Sequence, residues 1–312
     1  MAVLQTPPSS VGRTTTERVL LYTEEDPLVL ASGRELGPVE VAYETYGTLS
    51  PQRDNVVFVC HALTGDAHAA GYRDDASKPG WWDNLIGPGK PLDTDRFFVV
   101  CPNLLGGCQG TTGPLSTNPA TGKPYGLDFP LLQMSDFVTV HRRLLEHLGI
   151  ERLHAAVGGS LGGMQVLQWT LDAPTQIDNA VVVAASSRLT AQNIAFSAVA
   201  REAIMRDPGF QEGAYIGTDR GPRLGLSIAR MMAHITYLSE EAMSEKFGRR
   251  LQGEEEPGSR MGLGVDFQVD RDVSLYIRGN NITDASYDTA LGYPGMPRTV
   301  MVGAQFNIGR RP

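Results

Sequence analysis

The chain has 312 residues, of which 41% are hydrophobic, and it carries a formal net charge of -8 at pH 7. A chain of this length and composition can bury a sizeable core and form one large or two modest globular domains. The acidic balance argues against non-specific binding to nucleic acid or anionic lipid, because both require a clustered positive surface. We therefore expect a small metabolite as the partner, and neither nucleic acid nor membrane.

Cysteine usage and the N-terminal residues indicate a compartment. The three cysteines are an odd number in a chain too large to depend on disulfides, which fits a reducing environment. The N-terminus lacks a basic segment followed by an apolar run, and no apolar run approaches the ~20 residues of a membrane span. These features predict a soluble, unprocessed cytoplasmic protein. No His, Cys and carboxylate cluster shows ligand spacing, so we expect no metal site.

In the first part of the chain, short apolar runs alternate with glycine-rich turns and helical patterns. This rhythm is typical of a mostly parallel sheet covered by helices, and it predicts an α/β fold. A helix is expected near residues 135–148, where apolar residues recur at helical spacing and Gly149 suits the end. The runs predicted as strands cover residues 39–46, 55–60, 96–101, 153–157 and 180–185.

After residue 185 the pattern changes to helices without intervening strands. These helical patterns predict a lid over residues 186–252, inserted after a core formed by residues 1–185. The lid helices are predicted at residues 191–206, 224–235 and 240–250.

The composition changes again at residues 253–259, which are polar and rich in residues that break regular structure. A boundary is expected there. Beyond it, alternating runs without helices predict a β-rich tail, residues 253–312, that does not belong to the preceding fold. The predicted tail strands cover residues 261–269, 273–278 and 299–308.

The most specific chemical signal is the segment Gly158-Gly159-Ser160-Leu161-Gly162-Gly163. It contains G-x-S-x-G between a predicted strand and a predicted helix, where a sharp turn exposes a nucleophilic serine at the helix N-terminus. Ser160 is therefore the candidate nucleophile, and the backbone N–H of Leu161 is a candidate donor to an oxyanion. The alternatives are a glycine-rich linking turn and a P-loop, and no Gly-Lys-Ser/Thr follows to support the latter.

A second oxyanion donor is expected in the loop after an earlier strand. The predicted strand 55–60 is followed by His61-Ala62-Leu63-Thr64-Gly65, which makes Leu63 the candidate. Spacing alone favours equally the alternative that Leu63 is an ordinary loop residue that packs on the sheet. His61 precedes the nucleophile, where this arrangement does not place the base, so we expect it to hydrogen-bond within its loop.

Several motifs together resemble homoserine O-acetyltransferase, over about residues 15–252. The resemblance implies an α/β-hydrolase fold with a helical lid, cut short here and followed by the β-rich tail. The motifs are HALTGDAH (61–68), KPGWWDNLIGPG (78–89), NLLGGCQGTTGP (103–114), GGSLGGMQ (158–165) and IARMMAHITY (228–237).

The resemblance implies roles for residues of this chain. Ser160 would take an acetyl group from acetyl-CoA, a co-substrate, and pass it to the hydroxyl of L-homoserine in methionine biosynthesis, with no permanently bound cofactor. Leu63 and Leu161 would supply the oxyanion-hole amides. Arg230 would hold the homoserine carboxylate, a role that suits a planar guanidinium. A homodimer paired through the lid is also implied, and a succinyl donor remains open.

The chain departs from that family in its last part. The family has an aspartate after a late strand and a histidine in a Gly-His-Asp turn, and neither motif occurs here. The only histidine after Ser160 is His234, in the predicted lid, where a structural role is expected. Residues 260–308 instead resemble the last strands of a TonB-dependent outer-membrane receptor. The alternatives are therefore a hydrolase of the same fold, a catalytically incomplete fusion or remnant, and a receptor fragment.

Overall fold

The structure is a computed structural model. It describes residues 7–73 and 78–247 and, further along the chain, the backbone of five strands. The chain divides into two units, Met1–Leu189 and Thr190–Pro312. The predicted boundary at residues 252 and 253 lies outside the described residues and stays a prediction.

The first unit contains a six-stranded sheet with helices α1 and α2. Its elements are β1 (Glu17–Tyr22), β2 (Leu28–Val29), β3 (Glu35–Leu36), β4 (Val39–Tyr46), β5 (Val56–Cys60), β6 (Phe98–Pro102), β7 (Thr117–Asn118), β8 (Lys123–Pro124), α1 (Met134–His147), β9 (Leu153–Gly159), α2 (Leu161–Asp172) and β10 (Ile177–Val183).

The sheet has the strand order β1-β4-β6-β5-β9-β10. Strands β6, β5, β9 and β10 run parallel, whereas β4 is antiparallel to both β1 and β6. The predicted α/β class and its five strands are confirmed. Strand β1 and the short pairs β2–β3 and β7–β8 were not expected, because short strands and edge strands leave little periodic signal.

The core lies on the two faces of this sheet. Every residue of β5 is buried, as expected for a central parallel strand that is covered on both faces. Here α1 and α2 cover one face, and loop residues such as Ala69 and Ile86 cover the other. Helix α1 begins where Asp136 Oδ2 accepts a hydrogen bond from the Gln133 amide at 2.7 Å. It is followed by Gly149 at a φ of 67°, which suits a helix end. The carboxyl ends of β5, β6 and β9 therefore meet at one edge of a rigid layer.

The second unit contains the three predicted helices and strands in its last part. Helix α3 begins at the capping residue Thr190, whose side chain accepts a hydrogen bond from the Asn193 amide at 3.2 Å. Helix α4 packs against α3 at Gly225, where a Cβ would overlap the Ala203 carbonyl. The helices are α3 (Ala191–Met205), α4 (Arg223–Tyr237) and α5 (Glu240–Phe247).

Three of the five strands of this unit lie where the alternating runs predicted strands; the other two, at residues 288–290 and 293–294, lie between those runs and were not expected. Strands β11, β12 and β15 pair antiparallel in that order, and β13 pairs with β14. They are β11 (Leu263–Gln268), β12 (Val273–Asn280), β13 (Asp288–Ala290), β14 (Tyr293–Pro294) and β15 (Thr299–Phe306). The remaining residues of the predicted runs lie outside the described part. Of the helices described, none is long and apolar enough to span a bilayer.

Candidate active site

Ser160 occupies the sharp turn between β9 and α2. Its φ of 54° and ψ of −121° lie in a region that side-chain-bearing residues rarely adopt. The turn is held by a hydrogen bond of 3.0 Å from the Ser160 amide to the carbonyl of Val183, at the end of β10. The side chain is exposed and makes no hydrogen bond to a described residue of its own unit. The predicted nucleophile is thus a strained, accessible serine at the N-terminus of a helix.

Two glycines allow the chain to turn this sharply. A Cβ at Gly158 would overlap the backbone of Gly162, and a Cβ at Gly162 would overlap the carbonyl of Cys60. The first turn of α2 therefore lies directly against the end of β5. Strand β5 pairs with β9 up to the Cys60–Gly158 pair, so the loop after β5 begins beside the serine.

The two candidate oxyanion donors lie on these adjoining segments. Leu161 is the first residue of α2, and Leu63 lies in the turn after β5 with 78% of its surface exposed. Among the described residues, neither backbone N–H has a hydrogen-bond acceptor. Free amides beside an exposed serine are the components that stabilise an oxyanion. The structure thus brings together the environments of Ser160, Leu161 and Leu63.

His61 is buried at the start of the same loop, with both ring nitrogens engaged. Its Nε2 accepts the Leu104 N–H at 3.0 Å, so Nδ1 carries the proton and donates to the Ala62 carbonyl at 2.7 Å. Burial lowers the pKa of this histidine. The neutral ring therefore has a structural role, joining its own loop to Leu104. The prediction that His61 hydrogen-bonds within its loop is confirmed.

Gln165 is a residue of this site for which the sequence predicted no role. Its side chain is fully buried on α2, and its Nε2 lies 3.3 Å from the His61 carbonyl and 3.2 Å from the Leu161 carbonyl. Its Oε1 lies 2.8 Å from Nε2 of His141 on α1. Burial lowers the pKa of His141 to about 4, so that ring is neutral at pH 7. The sequence carried no signal of this role, because the His61 and His141 contacts come from segments distant along the chain.

Glu44 is a second buried polar group, and it contacts His68 and Arg73 at the far end of the loop that follows β5. Glu44 on β4 is 1% exposed and accepts hydrogen bonds from Thr16 at 2.7 Å and Tyr46 at 3.0 Å. It also pairs with His68 at 3.0 Å and Arg73 at 3.2 Å. Burial raises the Glu44 pKa, but these hydrogen bonds, led by that from His68, outweigh it and hold the pKa at about 2. Strand alternation could not reveal that this carboxylate is buried.

The predicted substrate residue Arg230 belongs to the second unit. It lies half-buried on α4, and its carbonyl oxygen lies 2.9 Å from Nδ1 of the buried His234. The contact is a helical i,i+4 contact, and the His234 ring also packs on Tyr237 at a centroid distance of 5.2 Å. His234 therefore has structural neighbours within α4. The substrate role of Arg230 stays a prediction.

Comparison with known proteins agrees with this geometry. The alpha/beta hydrolase fold family matches residues 55–278. Homoserine O-succinyltransferase from Nocardioides sp. is 63% identical over 84% of this chain and 70% of its own length. The crystal structure of homoserine O-acetyltransferase from Bacillus anthracis has a TM-score of 0.70 and 34% identity, covering 77% of this chain and 65% of that one. The crystal structure of esterase E22 has a TM-score of 0.68 and 34% identity, covering 74% of this chain and 64% of that one.

These matches confirm the predicted α/β-hydrolase fold. The chain spans 70% of the curated relative and less than two thirds of the two solved structures. They lend no support to the resemblance between residues 260–308 and receptor strands, which stays a prediction. The names of the Nocardioides relative and of the Bacillus anthracis structure agree on acyl transfer to homoserine and differ in the acyl group. This chain belongs to the homoserine O-acyltransferase family.

Proposed function

We propose that this chain moves an acyl group from an acyl-CoA through Ser160 to the side-chain hydroxyl of L-homoserine. The observation that carries the proposal is the conformation of Ser160, a strained and exposed serine at the N-terminus of α2. Such strain persists at functional sites because the surrounding structure fixes it. The free amides of Leu63 and Leu161 supply the matching oxyanion donors, and the family membership supplies the substrates.

The reaction is a double displacement. Ser160 Oγ attacks the thioester carbonyl and forms the acyl-enzyme, while coenzyme A leaves as the thiol with the proton that the serine loses. The homoserine hydroxyl then attacks the ester carbonyl, O-acylhomoserine leaves, and the hydroxyl proton returns to Ser160. Leu63 and Leu161 donate to the oxygen that becomes negative in both steps. Arg230 is proposed to hold the homoserine carboxylate through its guanidinium.

The acyl donor is acetyl-CoA in our prediction from the sequence motifs. A similar relative named as a succinyltransferase makes succinyl-CoA the direct competitor. The succinyl group is longer than the acetyl group by one methylene and a terminal carboxylate. Parallel assays with both therefore decide the donor.

A homodimer is also part of the proposal, and its interface is an exposed apolar stripe on α4. Leu224, Ile228, Met231 and Ile235 follow one another at helical spacing, and they are 69%, 39%, 46% and 61% exposed. A contiguous apolar stripe of this kind is typical of a protein interface. The pairing of two copies through the helical unit would cover it.

A catalytically incomplete remnant is the second candidate. Among the described residues of the first unit, no histidine makes a hydrogen bond to Ser160 Oγ: His61, His68 and His141 bond to other groups, and His154 stacks on Phe97. A general base raises the reactivity of a serine nucleophile. A remnant would bind ligands without sustained turnover.

Coenzyme A release by the purified chain tests the proposal. The assay uses acetyl-CoA or succinyl-CoA, with and without L-homoserine, and Ser160→Ala as the control. Sustained release that requires homoserine and is lost in Ser160→Ala is the expected result. Release that is equally fast without homoserine would indicate a hydrolase, and no release from folded protein would indicate the remnant.

A further inference from the structure

The two oxyanion donors lie on different segments that one side chain connects. Leu161 belongs to the first turn of α2, and Leu63 to the loop that begins at His61. The Gln165 amide lies within hydrogen-bond distance of the main-chain carbonyls of both Leu161 and His61, at 3.2 and 3.3 Å. A single buried amide group therefore bridges the two donor segments, beside the backbone contact between Gly162 and Cys60.

The orientation of this amide follows from its neighbours. A carbonyl oxygen only accepts hydrogen bonds, so the NH₂ group of Gln165 must face the two carbonyls and donate one hydrogen to each. The Oε1 atom then faces Nε2 of His141, which donates at 2.8 Å. His141 is a neutral donor at pH 7 because burial lowers its pKa to about 4. The ring thus fixes the rotation of the amide.

We propose that Gln165 is a positioning residue that sets the relative placement of the Leu63 and Leu161 amides, with His141 fixing its orientation. The inference rests on the proposed function, in which those amides bind the oxyanion. Oxyanion donors must be preorganised, and loss of one typically lowers the rate about 10²–10³-fold. Removal of the bridge leaves both donors present but less well placed, so we expect a loss of about 10–100-fold.

Gln165→Met tests the proposal, because methionine has a similar length and no hydrogen-bonding amide. The matched control is Gln176→Met. Gln176 accepts a 2.9 Å hydrogen bond from the buried Trp169 at the other end of α2 and touches neither donor segment. Thermal unfolding of both variants separates the loss of stability from the loss of positioning.

The readout is the affinity of phenylboronic acid, measured by titration calorimetry with Ser160→Ala as the blank. A boronic acid bonded to the serine oxygen becomes tetrahedral and places a hydroxyl group where the oxyanion forms, and this needs neither homoserine nor turnover. We expect Gln165→Met to weaken binding about 10–100-fold and Gln176→Met to leave it within about 2-fold. Equal affinities of Gln165→Met and the wild type would overturn the proposal, as would wild-type protein that binds no boronate.

His141→Phe provides the test if Gln165→Met does not fold. It keeps an aromatic ring, slightly larger than imidazole, and removes the donor to Oε1, so we expect boronate affinity to fall about 3–10-fold. An unchanged affinity would contradict the orienting role. Boronate binding that depends on Gln165 in a chain without turnover would keep this inference and reject the proposed function. Normal homoserine-dependent turnover in Gln165→Met would support the proposed function and reject the positioning role of Gln165.

Discussion

Gly162 lies so close to the carbonyl oxygen of Cys60 that a Cβ at this position would overlap it. This contact joins the first turn of α2 to the end of β5. Because Ser160 and Leu161 begin α2 and the Leu63 loop begins after β5, the contact sets how closely nucleophile and oxyanion donors approach. The second glycine of the G-x-S-x-G motif is therefore required for packing.

Gly162→Ala is expected to destabilise the chain by several kcal/mol, because backbone must move to relieve the overlap. The matched control lies within the same motif. A Cβ at Gly159 would meet only the Val183 carbonyl at 3.8 Å, an ordinary contact, so Gly159→Ala should be close to neutral. Urea unfolding of both variants measures the difference. Equal stabilities would show that the backbone around Cys60 adapts freely.

Backbone strain at Ser160 makes a separate prediction. The φ of 54° and ψ of −121° suit glycine and disfavour any residue with a Cβ. Ser160→Gly should therefore be more stable than Ser160→Ala by about 1 kcal/mol, although both lack the nucleophile. Thermal unfolding of the two variants is the measurement. If Ser160→Ala is the more stable of the two, the turn does not hold the strained conformation in solution.

The buried carboxylate of Glu44 predicts how stability depends on pH. Its pKa is about 2 in the folded chain, below the ordinary value of 4.5, so its contribution is complete above pH 4.5 and is lost as the pH falls toward 2. The shift corresponds to about 3 kcal/mol. Glu44→Gln lacks this contribution. The difference in free energy of unfolding between the wild type and Glu44→Gln should therefore shrink as the pH falls through this range.

Urea unfolding of the wild type and Glu44→Gln at a series of pH values measures that difference. The comparison cancels the effect of His141, which both proteins retain and whose lowered pKa reduces stability as the pH falls from 6.5 toward 4. A constant difference from neutral pH to pH 3 would mean that Glu44 is not ionised inside its cluster.

The exposed stripe on α4 predicts self-association. Ile235→Glu should shift the chain from dimer toward monomer, because it places a charge within the apolar contact. The side chain is 61% exposed, so the stability of the monomer should change little. Leu131→Glu, at a 90% exposed apolar residue of the first unit, is the control. Sedimentation that shows wild-type monomers at micromolar concentration would reject this interface.

The sequence predicted the elements whose signal is local. The buried strands are continuous apolar runs, and the serine turn has a spacing that few other structures require. The roles of Gln165 and Glu44 were not predictable, because each depends on contacts with segments distant along the chain. Gln165 reaches the His61 carbonyl across 104 residues, and Glu44 binds His68 across 24. Polar residues are mostly exposed in folded proteins, so the sequence alone predicts an exposed position for both.

The central claim is that Ser160 carries the acyl group. Intact-mass and peptide mass spectrometry of the chain after incubation with acetyl-CoA or succinyl-CoA, without homoserine, tests it most directly. We predict a single acyl adduct on the peptide that contains Ser160, absent from Ser160→Ala and removed when L-homoserine is added. An acyl adduct on another residue, or folded chain that remains unmodified with both donors, would contradict the account.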